Sequence, residues 1–268
     1  MSIHAEAAIH PTAIVAEGAS LGRGVSVGPY CTVGPQVRLA EDVRLEAHVC
    51  LDGETSVGPR TRFWPFCSIG SEPQDLKFKG ERTRLEIGAD CKIREHVTMN
   101  PGTEGGGGLT RVGDRCLFMV GTHVAHDCMI GSDVICANNA TVAGHVEIGD
   151  FAVLGGLCAI HQFVRIGAHA MIGGMTGVER DVIPAGTAMG NRAYLAGLNL
   201  NGLKRRDVPK GELQMLRGAF REIFGGEEGG LRERAARVSE NVPDAGITRD
   251  MIDFILKGSQ RRFCLLAA

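Results

Sequence analysis

Aliphatic residues recur along this chain every six positions, most of them followed by Gly or another small residue. The run begins at Val15, Leu21, Val27, Val33, Leu39, Leu45, Leu51 and Val57, and after the segment 70–86 it resumes in phase at Ile87, Ile93 and Met99. Past the Gly-rich segment 101–111 it restarts one residue out of phase. From there it continues through Val112, Phe118, Val124, Ile130, Cys136, Val142, Ile148, Leu154, Ile160, Ile166 and Ile172 to Val178. A second column, four residues after each aliphatic position, holds only Ala, Val, Thr or Cys over long stretches, as at Cys31, Val37, Val43, Thr55, Cys116, Thr122, Cys128 and Val134. It lies two residues before the next aliphatic position, and residues two apart on a strand share a face. Both columns therefore point inward. The remaining two residues of each hexad form a corner, where the abundant Gly belongs. Three short strands and three corners make an 18-residue triangular coil, and stacked coils make a parallel β-helix.

From about residue 190 the six-residue period stops. Pro209–Phe224 places Leu213, Leu216, Phe220, Ile223 and Phe224 on one helical face, with Pro at its start and Gly225-Gly226 past its end. Leu231–Val238 and Thr248–Leu256 read as two further helices. The expected organisation is a β-helix over 1–189 capped by a small C-terminal α-helical domain over 190–268.

Composition narrows the function. With 22% charged residues and a formal net charge of -2, no overall field favours nucleic acid or an anionic membrane. No run approaches the length of a membrane span, and MSIHAEAAIHPTAIV lacks the basic and apolar segments of a secretory signal. Nine Cys without a CxxC pair suit reduced thiols in the cytoplasm better than disulfides or a zinc ribbon. Six of them occupy the small inward column, a structural placement.

Residues 18 apart become vertical neighbours, about 4.8 Å from each other. His126 and Gly144 are so related, as are Asp127 and His145, all four on one corner. His161 lies beside that corner one coil on, and His123 precedes it on the adjoining strand. A β-helix this narrow has no interior pocket, so a ligand must bind outside, in a groove between subunits, which implies a homo-oligomer. Acylating a hydroxyl needs a base, and His has a suitable pKa. It also needs a donor for the oxyanion. His126 is assigned as base, Asp127 as its orienting partner and the Gly144 amide as oxyanion donor. No cofactor or metal is expected.

Four stretches, His123–Gly131 (HVAHDCMIG), Ala143–Gly156 (AGHVEIGDFAVLGG), Ile160–His169 (IHQFVRIGAH) and Ser68–Glu81 (SIGSEPQDLKFKGE), with Gly197–Arg206 (GLNLNGLKRR), carry a resemblance. They resemble the UDP-N-acetylglucosamine O-acyltransferases, the LpxA-type hexapeptide-repeat transferases that begin lipid A synthesis. The resemblance implies a left-handed β-helix, a homotrimer, and transfer of a 3-hydroxyacyl group from acyl carrier protein to UDP-N-acetylglucosamine. It places the family's base, partner and oxyanion amide on His126, Asp127 and Gly144. Gln74, Asp75 and Lys77 match a loop reaching the sugar and phosphates. His145, His161 and Gln162 match further substrate contacts, and Asn199, Arg205 and Arg206 match the UDP side. Gly174 matches a position that leaves the acyl groove long. Asn201 and Arg192 depart from the pattern, standing where Glu and His are frequent, so the uracil contact and the acyl length stay open.

Four alternatives remain at this level. A 3-amino sugar nucleotide is a possible acceptor. A sister enzyme that N-acylates an acylated glucosamine usually has a separate domain before its repeats, whereas these begin within the first dozen residues. A zinc-dependent hydratase of the carbonic anhydrase type would draw three ligands from His123, His126, His145 and His161. A non-catalytic scaffold would merely present flat faces. For the transferase, the acidic carrier is expected to dock on basic residues near the C-terminal domain.

Overall fold

The computed structural model describes residues 2–267; Met1 and Ala268, the outer ends of the two expected domains, lie outside the described residues. Two-residue strands follow one another on three faces, as at Leu117–Phe118, His123–Val124 and Met129–Ile130. Stacking them yields three sheets, here called A, B and C in the order the chain first meets them, with nine, eleven and nine strands among the described residues. The coil is a left-handed parallel β-helix. Register follows the expected spacing, since His123 pairs with Thr141 and Val124 with Val142 on sheet C.

The two breaks in the repeat loop out without disturbing the stack. Ser68 pairs with Thr98, and Thr98 pairs in turn with His123. Both insertions leave from sheet C and return to sheet A, at Arg84–Ile87 and Leu109–Val112. They therefore rise from the same edge of the prism that carries His126.

From Ala19 and Leu21 onward both inward columns are buried, with Phe63 and Phe118 the largest fully enclosed side chains. Burial pushes the Cys67 and Cys128 thiols up to about 12. A thiol so far from ionisation is packing material and no nucleophile.

The corners correct one expectation about glycine. The left-handed corner residue is seldom Gly: Asp127, His145 and Phe163 hold φ of 59°, 61° and 63°. Glycine is concentrated two residues earlier, where the backbone of the next coil passes close by. A Cβ built on Gly113 would lie 2.6 Å from the carbonyl carbon of Gly131. The hexad needs Gly there for clearance rather than for its φ range.

Beyond the repeats the chain forms helices α1 (Leu200–Lys204), α2 (Lys210–Gly225), α3 (Leu231–Ser239) and α4 (Ile247–Leu256). The one-turn α1 has no periodicity to announce it. An antiparallel strand, Tyr194–Leu198, continues sheet B past the last coil. Arg165 and Asp181 form a buried ion pair at 2.8 Å, and the guanidinium lies 4.2 Å from the Phe254 ring centroid, joining the prism to α4. After α4 the tail returns to the prism end, bridging Asp181 to Phe263 and Leu195 to Leu266.

Candidate active site

The edge between sheets C and A brings together the residues expected to do chemistry. His126 Nδ1 lies 2.7 Å from Asp127 Oδ2, with side-chain exposures of only 7% and 1%. The Asp127 carboxylate also accepts from the Thr103 N–H (2.8 Å) and the Thr103 hydroxyl (2.7 Å). Its own N–H donates to Thr110 Oγ1 at 2.8 Å. A carboxylate with these donors is an acceptor toward His126, so the ring carries its proton on Nδ1 and leaves Nε2 as a base.

One coil away, Gly144 packs against the flat of that ring. A Cβ at Gly144 would sit 2.6 Å from His126 Cε1 and 2.7 Å from Nε2, so any larger residue displaces the imidazole. The Gly144 N–H donates to no group among the described residues. By contrast, the corner N–H of Ser132 is taken up by the Asp150 carboxylate at 2.8 Å.

His145 meets the His126 ring edge-on at 5.0 Å and stacks on Phe163 at 4.4 Å. Burial holds its pKa below the ordinary value, against the raising effect of Asp127. His123, bonded to Thr98 Oγ1 at 2.7 Å, is likewise lowered, by burial first and then by the nearby His126. A cleft of about 580 Å³ opens here, lined by Asp75, Lys77, Thr103, Asp127, His145 and Phe163. Asp75 and Lys77 come from the first insertion, where Asp75 Oδ1 accepts from the Lys77 N–H; Gln74 is exposed on the same loop.

His161 and Gln162 stand one coil further along this edge, both exposed, and meet Arg261 from the C-terminal tail. The other expected contacts lie elsewhere. Arg206 covers the Phe151 ring at 4.6 Å, on the edge between sheets A and B, and Arg205 is exposed beside it at the end of α1. Asn199 is engaged at both ends of its amide, accepting from the Gly202 N–H and donating to the His169 carbonyl. Asn201 is exposed on α1. Gly174 sits on the third edge, above Gly156, and Arg192 pairs with Glu179 at 2.8 Å.

Thr103, Thr110, Phe163 and Arg261 escaped the reading of the sequence. Thr103 and Thr110 had a signal: both lie in the Gly-rich interruption, and Gly106 of that segment packs so tightly on the Asp127 carboxylate that a Cβ would run into it.

Comparison with known proteins bears on this geometry. A family model described as UDP N-acetylglucosamine O-acyltransferase, domain 2, matches residues 181–264. The acyl-[acyl-carrier-protein]–UDP-N-acetylglucosamine O-acyltransferase of Paracoccus denitrificans is 52% identical over 200 residues, 75% of each chain. This chain belongs to the UDP-N-acetylglucosamine O-acyltransferase family. The Helicobacter pylori member is 42% identical over 208 residues, 78% of this chain and 76% of the relative. The solved UDP-N-acetylglucosamine acyltransferase from Campylobacter jejuni superposes with a TM-score of 0.91 at 38% identity, covering 97% of this chain and all of that one. Membership in the UDP-N-acetylglucosamine O-acyltransferase family thus extends through the helical region and the tail as well as the repeats.

Proposed function

We propose that this chain transfers an (R)-3-hydroxyacyl group from acyl carrier protein to the 3-hydroxyl of UDP-N-acetylglucosamine, the first step of lipid A synthesis. The observation that carries the mechanism is the His126–Asp127 pair with Gly144 against its ring. Nε2 of His126 removes the proton of the sugar hydroxyl as that oxygen attacks the thioester carbonyl. The carbonyl oxygen becomes an oxyanion, which the free Gly144 N–H stabilises. Collapse breaks the carbon–sulfur bond, and the imidazolium returns its proton to the departing thiolate. Asp127 holds the ring in its Nδ1–H form and offsets the charge it acquires.

Asp75 and Lys77 reach the same cleft from their loop and suit a phosphorylated sugar. Arg205 and Arg206 lie on a different edge, so they serve this site only from a neighbouring subunit, and a homotrimer supplies that neighbour. In α2, Lys210, Arg217 and Arg221 are exposed and fall along one helical face, a suitable landing for an acidic carrier. No helix among the described residues is long and apolar enough to cross a membrane. All nine cysteines are free, which suits a cytoplasmic enzyme.

A second reading has an observation in its favour. His126, Asp127 and His145 each offer a ligand atom within 4.8 Å of the others, a spacing a metal ion can use. His123 and His161 stand outside that group, occupied by Thr98 and Arg261. The Asp127 oxygens are already engaged by Thr103 and His126, an arrangement that orients a base and leaves little for a metal.

Incubating the protein with UDP-N-acetylglucosamine and a panel of acyl carrier protein thioesters, then weighing the products, tests both readings. Transfer that survives chelation and falls about 10²–10⁴-fold in folded His126→Ala supports base catalysis. Activity lost with chelator and restored by zinc would favour the metal, and near-wild-type transfer by His126→Ala removes the base.

A further inference from the structure

The C-terminal tail is clipped to the end of the prism by regular backbone bonds. The Asp181 N–H donates to the Arg262 carbonyl (2.9 Å), the Cys264 N–H to the Asp181 carbonyl (2.8 Å), and the Leu195 N–H to the Leu265 carbonyl (2.7 Å). Arg261 immediately precedes this clipped stretch, so its backbone is placed by the prism rather than by the helical region. Its side chain reaches the catalytic edge. Nε donates to the Gln162 carbonyl at 3.1 Å, and one terminal nitrogen lies 2.8 Å from His161 Nδ1.

Two contacts compete for His161 Nδ1, and the chemistry of the guanidinium decides between them. A guanidinium has donors and no acceptor, and it stays charged. The His161 Nδ1 facing it must be the unprotonated acceptor, so the ring proton resides on Nε2. The Gln162 carbonyl, 3.2 Å from the same Nδ1, would call for a proton there instead, but it already accepts from Arg261 Nε, and the 2.8 Å guanidinium contact is the shorter. His126 is held the opposite way, with its proton on Nδ1. Two imidazoles on one edge are thus set in opposite tautomers, one presenting a base and the other a donor.

His161 and Arg261 line a cleft of about 390 Å³ with Glu179, Arg180 and Gln260. Gln260 also lines the cleft that contains Asp127 and His145, so the two spaces adjoin at the tail. A ligand spanning the two clefts meets Asp127 and His145 on one side and His161 on the other.

We propose that Arg261 is a positioning residue, which locks His161 as the Nε2–H tautomer so that it donates a hydrogen bond to an oxygen of the bound sugar nucleotide. The inference rests on the acyl transfer proposed above for the role of that hydrogen bond, but not for the tautomer itself. Nitrogen-15 NMR of histidine-labelled full-length protein, with His161 assigned from a His161→Gln sample, reads the tautomer directly. Wild type and Arg261→Lys, which keeps a donor, should show His161 unprotonated at Nδ1. Arg261→Met, which keeps the stem and removes the donor, should show a mixture of both tautomers. In steady-state assays the Met variant should raise KM for UDP-N-acetylglucosamine about tenfold, the scale of one lost charge-assisted bond. Its kcat should change less than about twofold, and Lys should recover most of the loss.

A Met variant with the tautomer unchanged, or a Lys variant that loses it, overturns the proposal. So does loss of amide-exchange protection at Leu195 and Cys264 in the Met variant, because the kinetic effect would then come from a released tail. A wild-type protein with no transfer activity sinks the acyltransferase reading instead and leaves the tautomer result standing.

Discussion

Asp127 performs its role because of where its backbone turns. At φ 59° it occupies the left-handed corner, from which its carboxylate reaches back under the Thr103 loop and forward to His126. Asp tolerates that conformation better than most residues with a Cβ. The neighbouring imidazoles show a second residue-scale effect. His123, His145 and His169 are all held below the ordinary histidine pKa, each chiefly by burial. Between those lowered values and about 6.5, the unfolded chain binds more protons than the folded one, so stability rises with pH across that window. Thermal denaturation should therefore show a midpoint that falls as pH drops from about 7 to 5. Replacing His169 by Phe, which keeps the stack on Phe151, should flatten the slope. A midpoint indifferent to pH in this range contradicts the account.

At the scale of elements, the hexad explains both what is rigid and what departs. Strands of two residues form few bonds each, and their stability comes from coils stacked above and below. Segments that break the count need not disturb the stack if they leave and re-enter at a corner, as both insertions do. The helical region is tied on differently. Arg165 and Asp181 are buried against each other beneath Phe254 of α4, with side-chain exposures of 10% and 0%. Arg165→Ala leaves a buried carboxylate without its partner, and chemical denaturation should record a loss of about 3–5 kcal/mol. A loss below about 1 kcal/mol would mean that the pair does not anchor this junction.

For the whole molecule, the decisive feature is that the expected site residues occupy separate edges. His126, Asp127, Gly144 and His145 stand on one, Arg206 on a second and Gly174 on a third. A prism cannot bend its edges together, so under the proposed function one chain presents parts of two sites. If neighbours complete them, a His126→Ala chain and an Arg206→Ala chain supply complementary halves. Co-refolding equal amounts should restore about a quarter of wild-type transfer, the fraction of randomly formed cyclic interfaces with both halves sound. Mixtures no more active than the separate variants would place the complete site within one chain.

Counting sixes along the chain was enough to place the coil, the inward columns and the vertical pairing of His126 with Gly144, because neighbours in a solenoid are set by local chain length. The same count located the two interruptions, and helical-face periodicity located the three longer helices, though not α1, which is too short to show a period. Tertiary structure alone decided what those departures touch. Thr103 reaches Asp127 and Arg261 reaches His161 through segments outside the repeat, where no fixed spacing relates sequence distance to position. It also decided that Arg206 and His126 stand on different edges, since which edge a helix turn approaches depends on packing such as Arg206 on Phe151.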